Sequence, residues 1–216
     1  MPTETIHKSE QLPRCLPGME GVHRYWDSRH DCFAAKLVPG DIYVTLHNEL
    51  LVTTLGSCIS VCIHDRLKKI GGMNHFLLPL QGVNSGPWGG CSSATSTRYG
   101  NWAMEFLINS MIKQGCSARN MEFKVFGGGR MGIGRSEDVG QRNIGFVVDY
   151  LATEGYAIAS LDVGDIYPRK VHFYPESGRA LVKKLQHVRN ETIFEREVEY
   201  SQHVNQDNTD GSVELF

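Results

Sequence analysis

Apolar and polar positions alternate through Ile59-Ser60-Val61-Cys62-Ile63-His64, with a β-branched residue at every odd position. A period of two is the mark of a strand with one buried face, so residues 58 to 64 read as a strand. Asp65 to Lys69 is polar and supplies a turn, and Ile70 to Leu78 returns as a second apolar run that stops at Pro79. The two runs predict an antiparallel hairpin turning between Arg66 and Leu67, with Cys58 directly opposite His75. Opposed residues have Cβ atoms about 4.5–5.5 Å apart, close enough for a thiol to meet an imidazole. A slip of one residue would send His75 to the other face.

The rest of the chain supplies a scaffold. Strands are expected at 41–46 and 50–55, joined through His47-Asn48-Glu49. Tyr99, Trp102, Ala103, Phe106, Leu107 and Met111 recur at helical spacing up to a stop at Gly115. Met121, Phe123 and Val125 alternate as the next strand. Ser136-Glu137-Asp138 can cap a second helix that carries Ile144, Val147, Val148 and Leu151 inward and ends at Gly155. Strands at 156–161, 170–174 and 179–186 follow, the last two joined by Pro175-Glu176-Ser177-Gly178. Residues 1–36 read as a polar extension, 37–190 as the domain, and 191–216 as a polar, disordered tail.

Composition narrows the function. Lys and Arg number 22 against 24 Asp and Glu, a net charge of −2, so nothing favours nucleic acid or an anionic membrane as partner. No run is apolar enough for membrane insertion, and Met1-Pro2-Thr3-Glu4 lacks the features of a signal peptide, so a cytoplasmic location is expected. The scattered cysteines read as reduced thiols.

The candidate chemistry centres on Gly56-Ser57-Cys58 and His75. A nearby imidazole can activate a thiol, and Gly56 lets a substrate approach the backbone, so that the N–H groups of Ser57 and Cys58 could face an oxyanion. Two other readings compete: a buried small cysteine beside a core histidine, and a zinc site drawn from Cys58, Cys62, His64 and His75. An in-line arrangement along one strand face is unlike the knuckles of structural zinc. Gly127-Gly128-Gly129-Arg130-Met131-Gly132 has the form of a dinucleotide fingerprint, but Gly134 interrupts the helix that should follow. The loop is expected to bring backbone near the site, with Arg130 facing an acidic substrate. The long polar loop from Gln81 to Thr97 is expected to wall the site, with Trp88 a contact for a protein substrate.

Thr54-Leu55-Gly56-Ser57-Cys58-Ile59-Ser60-Val61-Cys62-Ile63-His64-Asp65 with Gly72-Met73-Asn74-His75 resembles the CheD family of chemoreceptor glutamine deamidases. So do Phe126 to Met131, Gly140-Gln141-Arg142-Asn143, Asp162-Val163-Gly164 and Arg169-Lys170-Val171, in the same order. The resemblance implies a single-domain α/β sandwich with a mixed, largely antiparallel sheet, related to bacterial toxin deamidases. It implies Cys58 as nucleophile, His75 as base, and a reaction needing no metal or cofactor. The family pattern has a catalytic threonine at position 52, where this chain has valine. Thr54, on the same strand face, is the expected orienter. Gly128, Arg130 and Asn143 are expected at the substrate, with Asn143 holding the glycine loop. The implied partners are the cytoplasmic domains of methyl-accepting chemotaxis receptors and a CheC-type phosphatase. A receptor methylesterase and a non-catalytic regulator of such a phosphatase are the alternatives.

Overall fold

The structure is a computed structural model that describes residues 12–78, 93–130 and 137–186, with backbone alone for 93–98 and 137–138, and residues 193, 195, 197, 199 and 200. Two five-stranded sheets stack with helices on one side. The first contains β1 (His23–Asp27), β2 (Cys32–Leu37), β4 (Glu49–Leu55), β9 (Arg169–Tyr174) and β10 (Arg179–Lys184), in that spatial order. The second runs β3 (Ile42–Thr45), β6 (Ile70–Asn74), β5 (Ile59–Asp65), β7 (Met121–Gly127) and β8 (Ile158–Val163). Among the described strand pairs only β2–β4 and β7–β8 are parallel. The expected sandwich with mixed, largely antiparallel strands is found, as two sheets rather than one. β3 and β4, which the sequence joins through His47-Asn48-Glu49, lie in different sheets, so the chain crosses between layers there.

Alternation along β5 sorts its side chains between layers. A Cβ placed on Gly72, opposite Ile63, would meet Leu107 of α1 (Ser93–Lys113), so Ile59, Val61 and Ile63 face the helices. Gly71, opposite His64, faces Pro175, and His64 Nδ1 lies 2.7 Å from the Pro175 carbonyl. Ser60, Cys62 and His64 therefore face the first sheet. α2 (Glu137–Thr153) lies on the helical side with α1, burying Val147 and Leu151.

Residues 23–27 and 32–36, read from the sequence as part of a polar extension, lie in strands of the first sheet. Glu49 explains why polar residues suffice there. Its buried carboxylate accepts hydrogen bonds from Arg24 at 2.7 and 3.0 Å and from Tyr43 at 3.1 Å, tying β1, β3 and β4 together. Part of the tail read as disordered is helical, at residues 193, 195, 197, 199 and 200. The expected cap at Ser136, the Trp88 loop and residues 201–216 lie outside the described residues. Among the described residues no helix is long and apolar enough to cross a membrane.

Candidate active site

The β5–β6 hairpin forms with a register two residues away from the expected one. Cys62 pairs with Met73 and Asp65 with Ile70, and Phe76 bridges Ile59 rather than Ser57. The turn is set by Asp65, whose carboxylate accepts the N–H groups of Leu67 and Lys68, both at 2.9 Å, and by Lys69 at φ 57°. A shift of two preserves the face. Cys58 and His75 thus remain on one side as diagonal rather than direct neighbours, and both are buried.

His75 is met by Thr53, not Thr54. Thr53 Oγ1 lies 2.8 Å from His75 Nδ1 and donates to the Leu37 carbonyl at 3.0 Å. The correction is one of strand parity. Leu51 and Leu55 point with Thr53 into the main core between the sheets, whereas Leu50 and Val52 pack in a separate cluster with Ala34 on the outer face. Both faces of β4 are apolar, so alternation alone did not say which one meets β6. Thr54 lines the adjoining cavity of about 290 Å3 without reaching the ring.

Because the Thr53 hydroxyl has one proton and gives it to Leu37, its oxygen accepts from Nδ1–H. The ring is therefore held with Nε2 bearing its lone pair, and Nε2 is buried without a hydrogen-bond partner among the described residues. Burial lowers the His75 pKa to about 4, a drop that the Glu197 carboxylate and a backbone contact only partly oppose. The ring is neutral near pH 7.

The loop Gly56-Ser57-Cys58 points three backbone N–H groups at one spot, and the Glu197 side chain fills it. Oε1 accepts from Gly56 N at 2.9 Å and Cys58 N at 3.1 Å, and Oε2 from Ser57 N at 2.9 Å and Ser57 Oγ at 2.6 Å. Ser57 and Cys58 were expected as donors, and Gly56 joins them. Cys58, His75 and Glu197 bring a sulfur, a ring nitrogen and a carboxylate oxygen within 4.8 Å of one another. Burial, the Glu197 charge and a hydrogen bond to Glu197 push the Cys58 thiol well above its ordinary pKa. This thiol is protonated.

Two of the three residues expected at the substrate, Gly128 and Asn143, brace this loop instead. Gly128 N donates to the Cys58 carbonyl at 2.8 Å and Gly129 N to that of Gly56 at 2.7 Å. Gly127, at φ 115°, lies so close that a Cβ would stand 2.1 Å from the Cys58 oxygen. Arg169, fully buried, donates to the Gly127 and Gly164 carbonyls, both at 2.7 Å. Among the described residues Asn143 holds the nucleophile loop rather than the glycine loop: its Nδ2 donates to the Ser57 carbonyl at 2.9 Å and its Oδ1 accepts from Leu78 N at 3.1 Å. Arg130 lies on a separate cavity with Gly128, Gly140, Gln141 and Asp165, away from Cys58 and His75. Of the zinc quartet only Cys58 and His75 come together, since His64 turns to Pro175.

The chain is similar to known proteins over nearly its whole length. A protein of Halorhodospira halophila named "Probable chemoreceptor glutamine deamidase CheD" is 49% identical over 205 residues, spanning 95% of this chain and 94% of its own. The chain belongs to the CheD family. A CheD protein of the same printed name from Herminiimonas arsenicoxydans is 46% identical over 193 residues, covering 89% of this chain and 93% of its own. CheD 1 of Shewanella oneidensis is 44% identical over 195 residues, covering 90% and 93%. The family model, described as CheD chemotactic sensory transduction, matches residues 78–184. Those CheD residues include the bracing elements, Gly127 to Gly129, Asn143 and Arg169. Two residues that meet His75 or the Cys58 loop escaped the sequence reading: Thr53, hidden by the ambiguous parity of β4, and Glu197, hidden in a tail without a continuous apolar face.

Proposed function

We propose that the protein hydrolyses the side-chain amide of glutamine residues on chemoreceptors, releasing ammonia, with Cys58 as nucleophile and His75 as general base and acid. The observation that carries the reading is the Glu197 carboxylate held by three backbone N–H groups beside Cys58 and His75. An amide carbonyl placed as that carboxylate is placed would set its carbon near sulfur and its oxygen in the donor cluster.

His75 Nε2 takes the thiol proton and sulfur attacks the amide carbon. The N–H groups of Gly56 and Cys58, which share one oxygen of Glu197, stabilise the oxyanion, each such donor being worth about 10²–10³ in rate. The imidazolium passes its proton to the amide nitrogen, the C–N bond breaks, and ammonia leaves a thioester. Water, deprotonated by His75, attacks the thioester. The C–S bond breaks, the thiol regains its proton, and glutamate results. Thr53 keeps Nδ1 protonated throughout, so that Nε2 remains the working atom.

Action on cytoplasmic receptor domains places the protein in the cytoplasm. A CheC-type phosphatase belongs to the same proposal as a second partner, and competition between it and receptor for the enzyme would check it. The test of the reaction is a purified receptor cytoplasmic fragment incubated with wild-type protein, assayed for ammonia and methanol. Ammonia with glutamine converted to glutamate is expected. Methanol from methylated receptor, without ammonia, would make the protein an esterase instead.

A further inference from the structure

Glu197 is more than a plug. Of the described residues in its helical segment, Glu195 and Glu199 are exposed, Ile193 and Tyr200 are half-buried, and Glu197 is buried. Positions 193, 197 and 200 follow the i, i+4, i+7 spacing of one helix face. That face reads onto the enzyme in three places. Ile193 lines the cavity together with Val38, Pro39 and Thr54. Glu197 enters the donor cluster. Tyr200 places its hydroxyl against that of Tyr99 and over Gly40, where a Cβ would stand 2.5 Å from the Tyr200 oxygen.

We propose that the cleft over Cys58 takes its target residue from one face of an α-helix, and that the helical segment carrying Ile193, Glu197 and Tyr200 occupies it as a built-in product analogue. This rests on the deamidase reading, because glutamate is what that reaction leaves behind. Ile193 and Tyr200 mark subsites for residues four before and three after the target. Lys36 and Lys170 on the same cavity attract acidic residues flanking it. A cation shared by Cys58, His75 and Glu197 fits less well. Each Glu197 oxygen already accepts two hydrogen bonds, which is the surrounding of a bound anion. Receptor helix and C-terminal segment then compete for one cleft, and the apparent rate on receptor scales with the fraction of enzyme whose segment is out.

Full-length protein carrying Glu197→Gln tests the geometry directly. The amide enters the hole where the carboxylate sits, and Cys58 should hydrolyse it in cis, giving the mass of the acid at position 197 in intact-mass and peptide analysis. The same variant with Cys58→Ala should keep its amide, and so should Glu199→Gln, which lies off the inward face. In parallel, Glu197→Ala should raise kcat/KM on a receptor fragment by about tenfold, as the segment loses its anchor. If Glu197→Gln stays an amide while the same preparation deamidates receptor, the segment is not held as a product and the inference is overturned. If Glu197→Ala lowers receptor turnover, Glu197 is a strut for the loop rather than a competitor. A preparation that modifies neither its own amide nor receptor fails at the reaction itself, and the inference falls with it.

Discussion

Replacing Thr53 by valine keeps the volume and β-branched shape of the side chain and removes one hydroxyl. That hydroxyl is buried, 2.8 Å from His75 Nδ1 and 3.0 Å from the Leu37 carbonyl. Valine leaves Nδ1–H without its acceptor and Leu37 without this donor. A buried polar group left unpaired costs about 1–3 kcal/mol. The ring can escape the cost by moving its proton to Nε2, but then the atom facing Cys58 can no longer accept one. If the penalty falls on the transition state, kcat/KM drops roughly 5- to 150-fold. The loss should appear in kcat, because Thr53 orients the base without binding substrate. Ammonia release from a receptor fragment under saturating and limiting substrate measures it, with thermal unfolding as the check on folding. Thr53→Ser restores the hydroxyl and should recover activity, and Thr54→Val should cost less than Thr53→Val. A folded Thr53→Val enzyme with wild-type kcat would refute the assignment of Thr53 and the tautomer argument built on it.

Other outcomes follow from the same contacts. Gly127→Ala brings a Cβ to 2.1 Å from the Cys58 carbonyl oxygen, so the nucleophile loop must move. Turnover should be lost and the melting temperature should fall, as thermal unfolding would show. Asn143→Ala unties the Ser57 carbonyl from the Leu78 N–H and should lower kcat through the misplaced loop, with a stability loss of about 1–3 kcal/mol by denaturant titration. For pH, the His75 pKa of about 4 in the folded protein lies below the ordinary value of 6.5. The unfolded chain binds the extra proton first, so stability is full above about pH 6.5 and is lost as pH falls towards about 4. The total is of the order of 3 kcal/mol. His75→Gln should flatten that part of the stability curve.

Where one face of an element was plainly apolar, the sequence was informative. Ile59, Val61 and Ile63 identified β5, and the polar Asp65 to Lys69 identified its turn, because alternation and turn chemistry are local properties. The register came out two residues displaced, since Asp65 and Lys69 decide which residues close the turn. An even displacement still left Cys58 and His75 on one face. β4 was harder: Leu50 and Val52 are as apolar as Leu51 and Leu55, and only the stacking of two sheets tells Thr53 from Thr54. Asn143 and Gly128 act across the fold on loops distant in sequence, which no local pattern encodes. Glu197 was the least legible, because a carboxylate at the centre of an inward helix face breaks the very periodicity that reveals a helix.

In the proposed reaction Cys58 converts receptor glutamine to glutamate. Peptide mass spectrometry of a receptor cytoplasmic fragment, after incubation with wild-type protein or with Cys58→Ala, tests it most directly. Wild-type protein should give glutamate at specific glutamine positions and the variant should leave glutamine unchanged, both proteins being folded. Equal conversion by the two would contradict it.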